Sequence, residues 1–234
     1  MFSNITSIIS NFRADPGGTL LYLLMFTVGI LFSLIIHECA HGYVALKCGD
    51  PTAKWMGRLT LDPRKHLDPI GTICMLFLRI GWAKPVPINP RNFRNYRRDY
   101  ILVSLAGICV NLIVFLLSTI IVVLLEKHNT QVYLAMFGLE SKGVLYWVCY
   151  FFLMLAQMNL SLAIFNLLPV PPLDGYRFLD QFVFKGSLSM NPQTMQIIHI
   201  VFLVVCVSGT LNGLLSRINS FLFTGCLNLF LRIV

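Results

Sequence analysis

His37-Glu38-Cys39-Ala40-His41 places two imidazoles four residues apart with a carboxylate beside them. On a helix, residues i and i+4 share a face, so His37 and His41 can chelate one metal ion. Glu38 then stands where it can take a proton from a metal-activated water. The string lies inside an apolar run that opens near Leu20. Three ionisable side chains on one membrane span are costly unless a function keeps them there. The chemistry this pattern predicts is metal-assisted hydrolysis within a membrane.

A catalytic zinc takes three protein ligands and leaves one position open for water. The HExxH string supplies two, and the chain holds only seven Asp and three Glu from which to draw the third. Asp174 is the best placed, because it follows a span broken by Pro169, Pro171 and Pro172 and precedes Gly175. The competing reading of Asp174 is a turn-forming residue after Pro-Pro. Asp180 is a second choice, while Asp62 and Asp68 flank a basic loop and read as solvated or charge-paired. Cys39, inside the motif, reads as a small packing residue. The seven cysteines are scattered with no CxxC pair, so neither a disulfide framework nor a thiolate zinc site is indicated.

These residues need a scaffold. The chain is 56% hydrophobic and 12% charged, about half the charge of a soluble domain. Its mean hydropathy is +0.74. With several apolar stretches of about twenty residues or more, that predicts an all-α polytopic membrane protein, one domain over residues 1–234. The expected architecture is a helical bundle of about four to six spans with a short β or extended membrane-associated segment. Residues 1–19 form a polar lead without the pattern of a cleavable signal peptide. The first span runs from about Leu20 to Lys47 and ends at Gly49-Asp50-Pro51. Further spans cover Tyr100 to Leu125 and Val144 to Leu168, and another apolar run extends from Met195 to about Leu215. Residues 216–234 suit a surface-lying or partly inserted helix. Between the first two spans, Gly57 to Leu61 alternates in a β-compatible way. Residues 69–83 form a short apolar stretch suited to a re-entrant or interfacial segment, with Trp55 and Trp82 at the interface. Prolines 85, 87 and 90 favour an extended chain.

Ten of the eighteen Lys and Arg residues fall between Lys54 and Arg98. Basic residues concentrated in one inter-span loop mark the cytoplasmic side, so the net charge of +8 reads as topology rather than nucleic-acid binding. The arginines between 91 and 98 suit anionic headgroups. This orientation places His37, His41 and Asp174 in the same, cytoplasmic half. One geometric conflict follows. A straight helix from Val144 crosses the hydrocarbon in about twenty residues, which carries Asp174 past the boundary unless the prolines fold the chain back or the span starts near Phe151.

The HExxH string, together with Asn166-Leu167-Leu168-Pro169-Val170-Pro171-Pro172-Leu173-Asp174-Gly175, resembles the site-2 protease family of intramembrane zinc metalloproteases. The second string fits the NxxPxPxLDG pattern of that family. Gly57 to Pro63, His66 to Pro69 and Gly81 to Pro87 resemble its short, domain-free branch, and the likeness covers about residues 20–180. Ile108, in Ala106-Gly107-Ile108-Cys109-Val110-Asn111, stands where many relatives carry proline.

The resemblance implies that His37, His41 and Asp174 bind Zn²⁺ and that Glu38 is the general base. It implies a substrate that is a membrane-embedded or membrane-adjacent helix, which must unwind to expose a peptide bond. The expected partners are thus membrane proteins and the lipid bilayer, in a cell (inner) membrane. Asn166, Asn111 and His66 are candidates for positioning substrate, against the plainer role of amides bonding between helices. His128 and His199 lack companions. Two rival functions use the same ligands: a membrane metal transporter, and an inactive relative that acts as a scaffold.

Overall fold

A computed structural model of the chain describes residues 5–68, 71, 83–128, 143–188 and 191–233. Asp15 and Pro16 start the long apolar helix that carries HExxH. The Asp15 carboxylate accepts the Gly18 N–H at 2.9 Å, and Pro16 sits in the first turn, where no N–H is needed. Preceding them, the expected polar lead contains a helix, α1 (Ile5–Ala14), and the apolar helix itself is α2 (Pro16–Cys48). Gly49 ends it in the left-handed conformation, φ 112°, and a Cβ at that position would stand 2.9 Å from the Asn92 carbonyl oxygen.

Two single-turn helices follow, α3 (Thr52–Trp55) and α4 (Pro63–His66), then a 3-10 turn at Pro90–Asn92. The long helices resume with α5 (Tyr96–His128) and α6 (Val144–Asn166). Later in the chain, the described residues include α7 (Asp174–Phe182), α8 (Pro192–Ser208) and α9 (Asn212–Ile233). Among the described residues, four helices are long and apolar enough to cross a membrane: Pro16–Cys48, Tyr96–Lys127, Val144–Asn166 and Gly213–Ile233. The all-α polytopic expectation holds. The C-terminal helix has the length and apolarity of a span, and it lies against α5 and α6.

Helix α5 packs against α2, α6, α7 and α9. Phe115 of α5, with Ala156 and Leu160 of α6, forms one apolar cluster, and Phe223 of α9 closes it. Polar side chains stitch the same helices together, as expected where apolar contact with lipid offers no competing drive. The Asn159 amide donates to the Ser33 hydroxyl at 2.8 Å, joining α6 to α2. Asn219 donates to the Ser161 hydroxyl at 2.6 Å, joining α9 to α6.

The connection between α2 and α5 departs from the alternation seen at Gly57 to Leu61. Among the described residues there is no strand, only an isolated antiparallel bridge between Leu67 and Ala83. The physical reason is visible in the partner segment. Residues 84–89 are extended, as the prolines require, but Pro85 and Pro87 have no N–H with which to continue a ladder. The segment is held by side chains instead. The Arg58 guanidinium donates to the carbonyls of Lys84 and Pro85, at 2.7 and 3.2 Å. Asp50, fully buried, accepts from Thr52 N–H, Asn89 N–H, the Asn92 amide and the Thr52 hydroxyl. Burial alone would raise the pKa of Asp50, but these donors hold it below the usual carboxylate range. Trp55 is exposed, as an interface residue should be. Trp82 and the re-entrant segment expected over 69–83 lie outside the described residues, except Gly71 and Ala83.

The chain folds back sharply after α6, which resolves the conflict over depth. Residues 167–173 form successive tight turns that contain a cis Pro171–Pro172 bond, and α7 starts directly at Asp174. Gly175 makes the reversal possible. A Cβ there would lie 2.2 Å from the Leu167 carbonyl oxygen, so only a residue without one lets the two segments touch.

Candidate metal centre

The buried stripe of α2 includes Ser33, His37 and His41, residues four apart on one face. The stripe faces α5, and α7 presents Asp174 from its first residue. His37, His41 and Asp174 are 5%, 6% and 6% exposed. The two Nε2 atoms are 3.1 Å apart, and each is 3.1 Å from Asp174 Oδ2. Among the described residues, these three form the group whose ligand atoms converge within 4.8 Å.

The tautomers decide what this triangle can hold. His41 Nδ1 lies 2.7 Å from the Val103 carbonyl oxygen, which can only accept. Nδ1 therefore carries the proton, and Nε2 offers a lone pair to the centre. The Asn111 amide nitrogen lies 3.2 Å from His37 Nδ1, while its buried Oδ1 has no partner. Turning that amide over brings Oδ1 onto Nδ1–H and frees the Nε2 of His37 in the same way. Two imidazole lone pairs and a carboxylate oxygen then face one another, an arrangement that repels itself unless a cation joins it.

The spacing suits zinc. Ligand atoms about 2.0–2.1 Å from a tetrahedral Zn²⁺ stand about 3.4 Å from each other, close to the observed triangle. With three protein donors, a fourth position stays free for water or substrate. The chain also leaves room there. A Cβ on Gly107 of α5 would fall 2.4 to 2.5 Å from His37 Cε1, His37 Nε2 and His41 Nε2, inside the space the ligands need.

Asp174 lies outside the spanning helices. Its second oxygen, Oδ1, is 3.7 Å from the half-exposed Arg177 guanidinium.

Glu38 is half-buried, and its Oε2 accepts the Val86 N–H at 2.8 Å, which ties it to the segment after Ala83. Val86 stands between two prolines, so its N–H is the one donor at that point of the chain. His66 is 1% exposed; its Nε2 donates to the Thr60 carbonyl oxygen at 2.8 Å. Cys39 donates to the same carbonyl at 3.2 Å, so His66 meets the HExxH segment through Cys39. Asn166 bonds Leu162 O of its own helix, and Asn111 is the amide that reaches a ligand. Asp62 pairs with Arg64, and Asp180 accepts the Leu188 N–H. Gly107 and the Val103 carbonyl were not singled out from the sequence. A glycine in the middle of an apolar span was the available signal for the first, whereas a backbone oxygen leaves none.

The model of Peptidase family M50 matches residues 135–209, which include Asp174. The chain is 44% identical over 183 residues to "Putative zinc metalloprotease YwhC" of Bacillus subtilis (strain 168), covering 77% of this chain and 79% of that protein. It is 31% identical over 205 residues to "Putative zinc metalloprotease Rip2" of Mycobacterium tuberculosis (strain ATCC 25618 / H37Rv), covering 85% of this chain and 73% of that protein. No solved structure gives a significant match. A helical membrane scaffold, a His-His-Asp centre suited to Zn²⁺ and this degree of identity lead to one conclusion: the chain belongs to Peptidase family M50, the site-2 protease family of zinc metalloproteases.

Proposed function

We propose that the protein is an intramembrane endopeptidase that cuts transmembrane or membrane-adjacent segments of other proteins. The observation that carries this reading is the convergence of His37, His41 and Asp174, each pair of ligand atoms 3.1 Å apart, inside a bundle of membrane-length helices. The three side chains would hold the zinc. When bound, Zn²⁺ supplies a Lewis acid that polarises the scissile carbonyl and makes water acidic enough to attack near neutral pH.

Glu38 is the general base. It takes a proton from the attacking water and returns it to the leaving amide nitrogen. The Val86 N–H bond fixes the direction of its carboxylate. Val103 and Asn111 fix the two imidazoles from the far side of each ring, the usual way a protein orients its metal ligands. Substrate helices hide their own carbonyls in intrahelical bonds, so a segment must unwind before its peptide bond reaches this centre.

The basic residues between α2 and α5 support placing the centre toward the cytoplasmic face of a cell (inner) membrane. Reconstitution with a transmembrane substrate tests the reading. Glu38→Gln should abolish cleavage while zinc content persists, and Asp174→Asn should weaken both. Full cleavage by Glu38→Gln would contradict the role given to that carboxylate, and zinc uptake into sealed vesicles without cleavage would indicate transport instead.

A further inference from the structure

A cleft of about 380 Å³ opens where the start of α5 meets the end of α7, lined by Asn95, Arg97, Arg98, Ile101, Leu102 and Phe182. Its wall is divided by chemistry. Arg97 and Arg98, both exposed and next in sequence to the basic loop, share its lining with Ile101, Leu102 and Phe182. Leu102 and Phe182 are 43% and 58% exposed, so the apolar part faces outward rather than into the bundle.

Arg97 has a structural duty at this place. Its Nε and Nη2 donate to the carbonyls of Gln181 and Phe182, at 2.9 and 3.0 Å, and so cap the last turn of α7. A guanidinium has five N–H donors, so two bonds leave three for a ligand. The nearby carboxylates are already engaged. Asp99, buried, accepts the Asn95 N–H, and Asp180 accepts the Leu188 N–H and the Gln181 amide. Among the described residues, neither guanidinium forms an ion pair with a carboxylate, so both remain open to an anionic ligand.

The apolar wall continues along α5. Leu102, Cys109, Ile113 and Leu116 are all exposed. At about 100° per residue, Arg98 and these four positions fall within about 60° of arc. The result is a straight apolar track that begins at a guanidinium near the membrane boundary and runs into the depth that acyl chains occupy.

We propose that this cleft binds one anionic phospholipid, its phosphate on Arg97 and Arg98 and an acyl chain along Leu102 and the track beyond it. A zwitterionic lipid would bring a quaternary ammonium up beside the same two guanidiniums, and a free phosphate would leave the apolar track uncovered. Because Arg97 keeps α7 tethered while it meets the headgroup, the lipid sits at the end of the helix that begins with Asp174.

The test places the full-length protein in phosphatidylcholine bilayers with spin-labelled phosphatidylglycerol or spin-labelled phosphatidylcholine. The motionally restricted lipid is then measured by electron paramagnetic resonance, a readout that does not depend on proteolysis. The expected result is preferential retention of phosphatidylglycerol that falls about fivefold in Arg98→Gln and survives in Arg98→Lys. It should persist in excess inorganic phosphate and be unchanged in Arg64→Gln, an exposed arginine elsewhere in the basic loop. Equal retention of the two lipids would overturn the proposal, as would full displacement by inorganic phosphate. An equal loss in Arg64→Gln would reduce the effect to general surface charge, and an unchanged preference in Arg98→Gln would move the site elsewhere; either result overturns it.

Discussion

His41 Nδ1 and the Val103 carbonyl oxygen, 2.7 Å apart, lock one of the two proposed zinc-binding histidines of α2 to the backbone of α5. The bond fixes the tautomer of His41 and the spacing between the two helices together. Val103 and Gly107 are one helical turn apart on α5, so the carbonyl that orients the ring and the gap that receives it come from the same stretch.

Gly107→Ala should therefore remove zinc without unfolding the bundle. The added methyl would meet both imidazoles at 2.4 to 2.5 Å, and a buried ring held by a backbone carbonyl has little freedom to retreat. Zinc affinity should fall by at least about 10- to 100-fold, the range seen when groups that orient a ligand are disturbed. Zinc content after dialysis against a weak chelator checks this, with helical circular dichroism expected to stay unchanged. A Gly107→Ala protein that keeps wild-type zinc would show that the ligands approach from another side.

Asn111 offers a finer test, because the proposed bond is an oxygen accepting the Nδ1–H of His37. Asn111→Asp keeps an acceptor at that place, whereas Asn111→Leu keeps the volume and loses it. Zinc affinity should drop about 10- to 100-fold in the leucine variant and much less in the aspartate variant. Equal losses in the two would show that the amide nitrogen, not the oxygen, faces the ring.

Much of this centre is legible in the residues themselves. The i, i+4 histidines need only a helix, and Asp174 stands out because few carboxylates exist and the prolines before it break a span. What the sequence cannot convey is contact across helices. Asn111 and Asn166 are alike as amides in apolar spans, yet Asn111 lies where α5 meets His37, while Asn166, at the last turn of α6, bonds its own helix. The alternation at Gly57 to Leu61 misleads for a related reason: a strand needs a neighbour with N–H groups to pair with, and the segment that Arg58 holds carries Pro85 and Pro87.

Asp50 links stability to pH. Its folded-state pKa is depressed, so it contributes stability that is fully present above the unfolded value of about 3.9 and is lost as pH falls through the folded value. The loop that carries residues 84–92 should thus loosen in acid below about pH 4 in the wild type. Asp50→Asn should remove that acid dependence and cost about 1–3 kcal/mol at neutral pH, since buried donors lose a charged acceptor. Thermal unfolding in detergent at several pH values, wild type against variant, measures both. Parallel curves for the two proteins across the acid range would show that Asp50 is not the group responsible.

The bond between Glu38 and Val86 can be broken without touching either carboxylate or metal ligand. Val86→Pro removes the N–H and gives Pro-Pro-Pro, a sequence that favours the extended backbone already present. Cleavage should fall roughly 10- to 100-fold through kcat, since a misdirected base loses its geometry while the site still binds substrate. Zinc content should not change. Val86 is also buried, and a Cβ on Gly42 would lie 2.9 Å from its Cγ1, so the substitution disturbs packing as well. Val86→Ala separates the two effects, because it gives up the packing but keeps the N–H. If the alanine variant retains most of kcat and the proline variant does not, the backbone donor aims the base. If both lose it equally, the side chain matters through packing and the N–H has no part in directing Glu38.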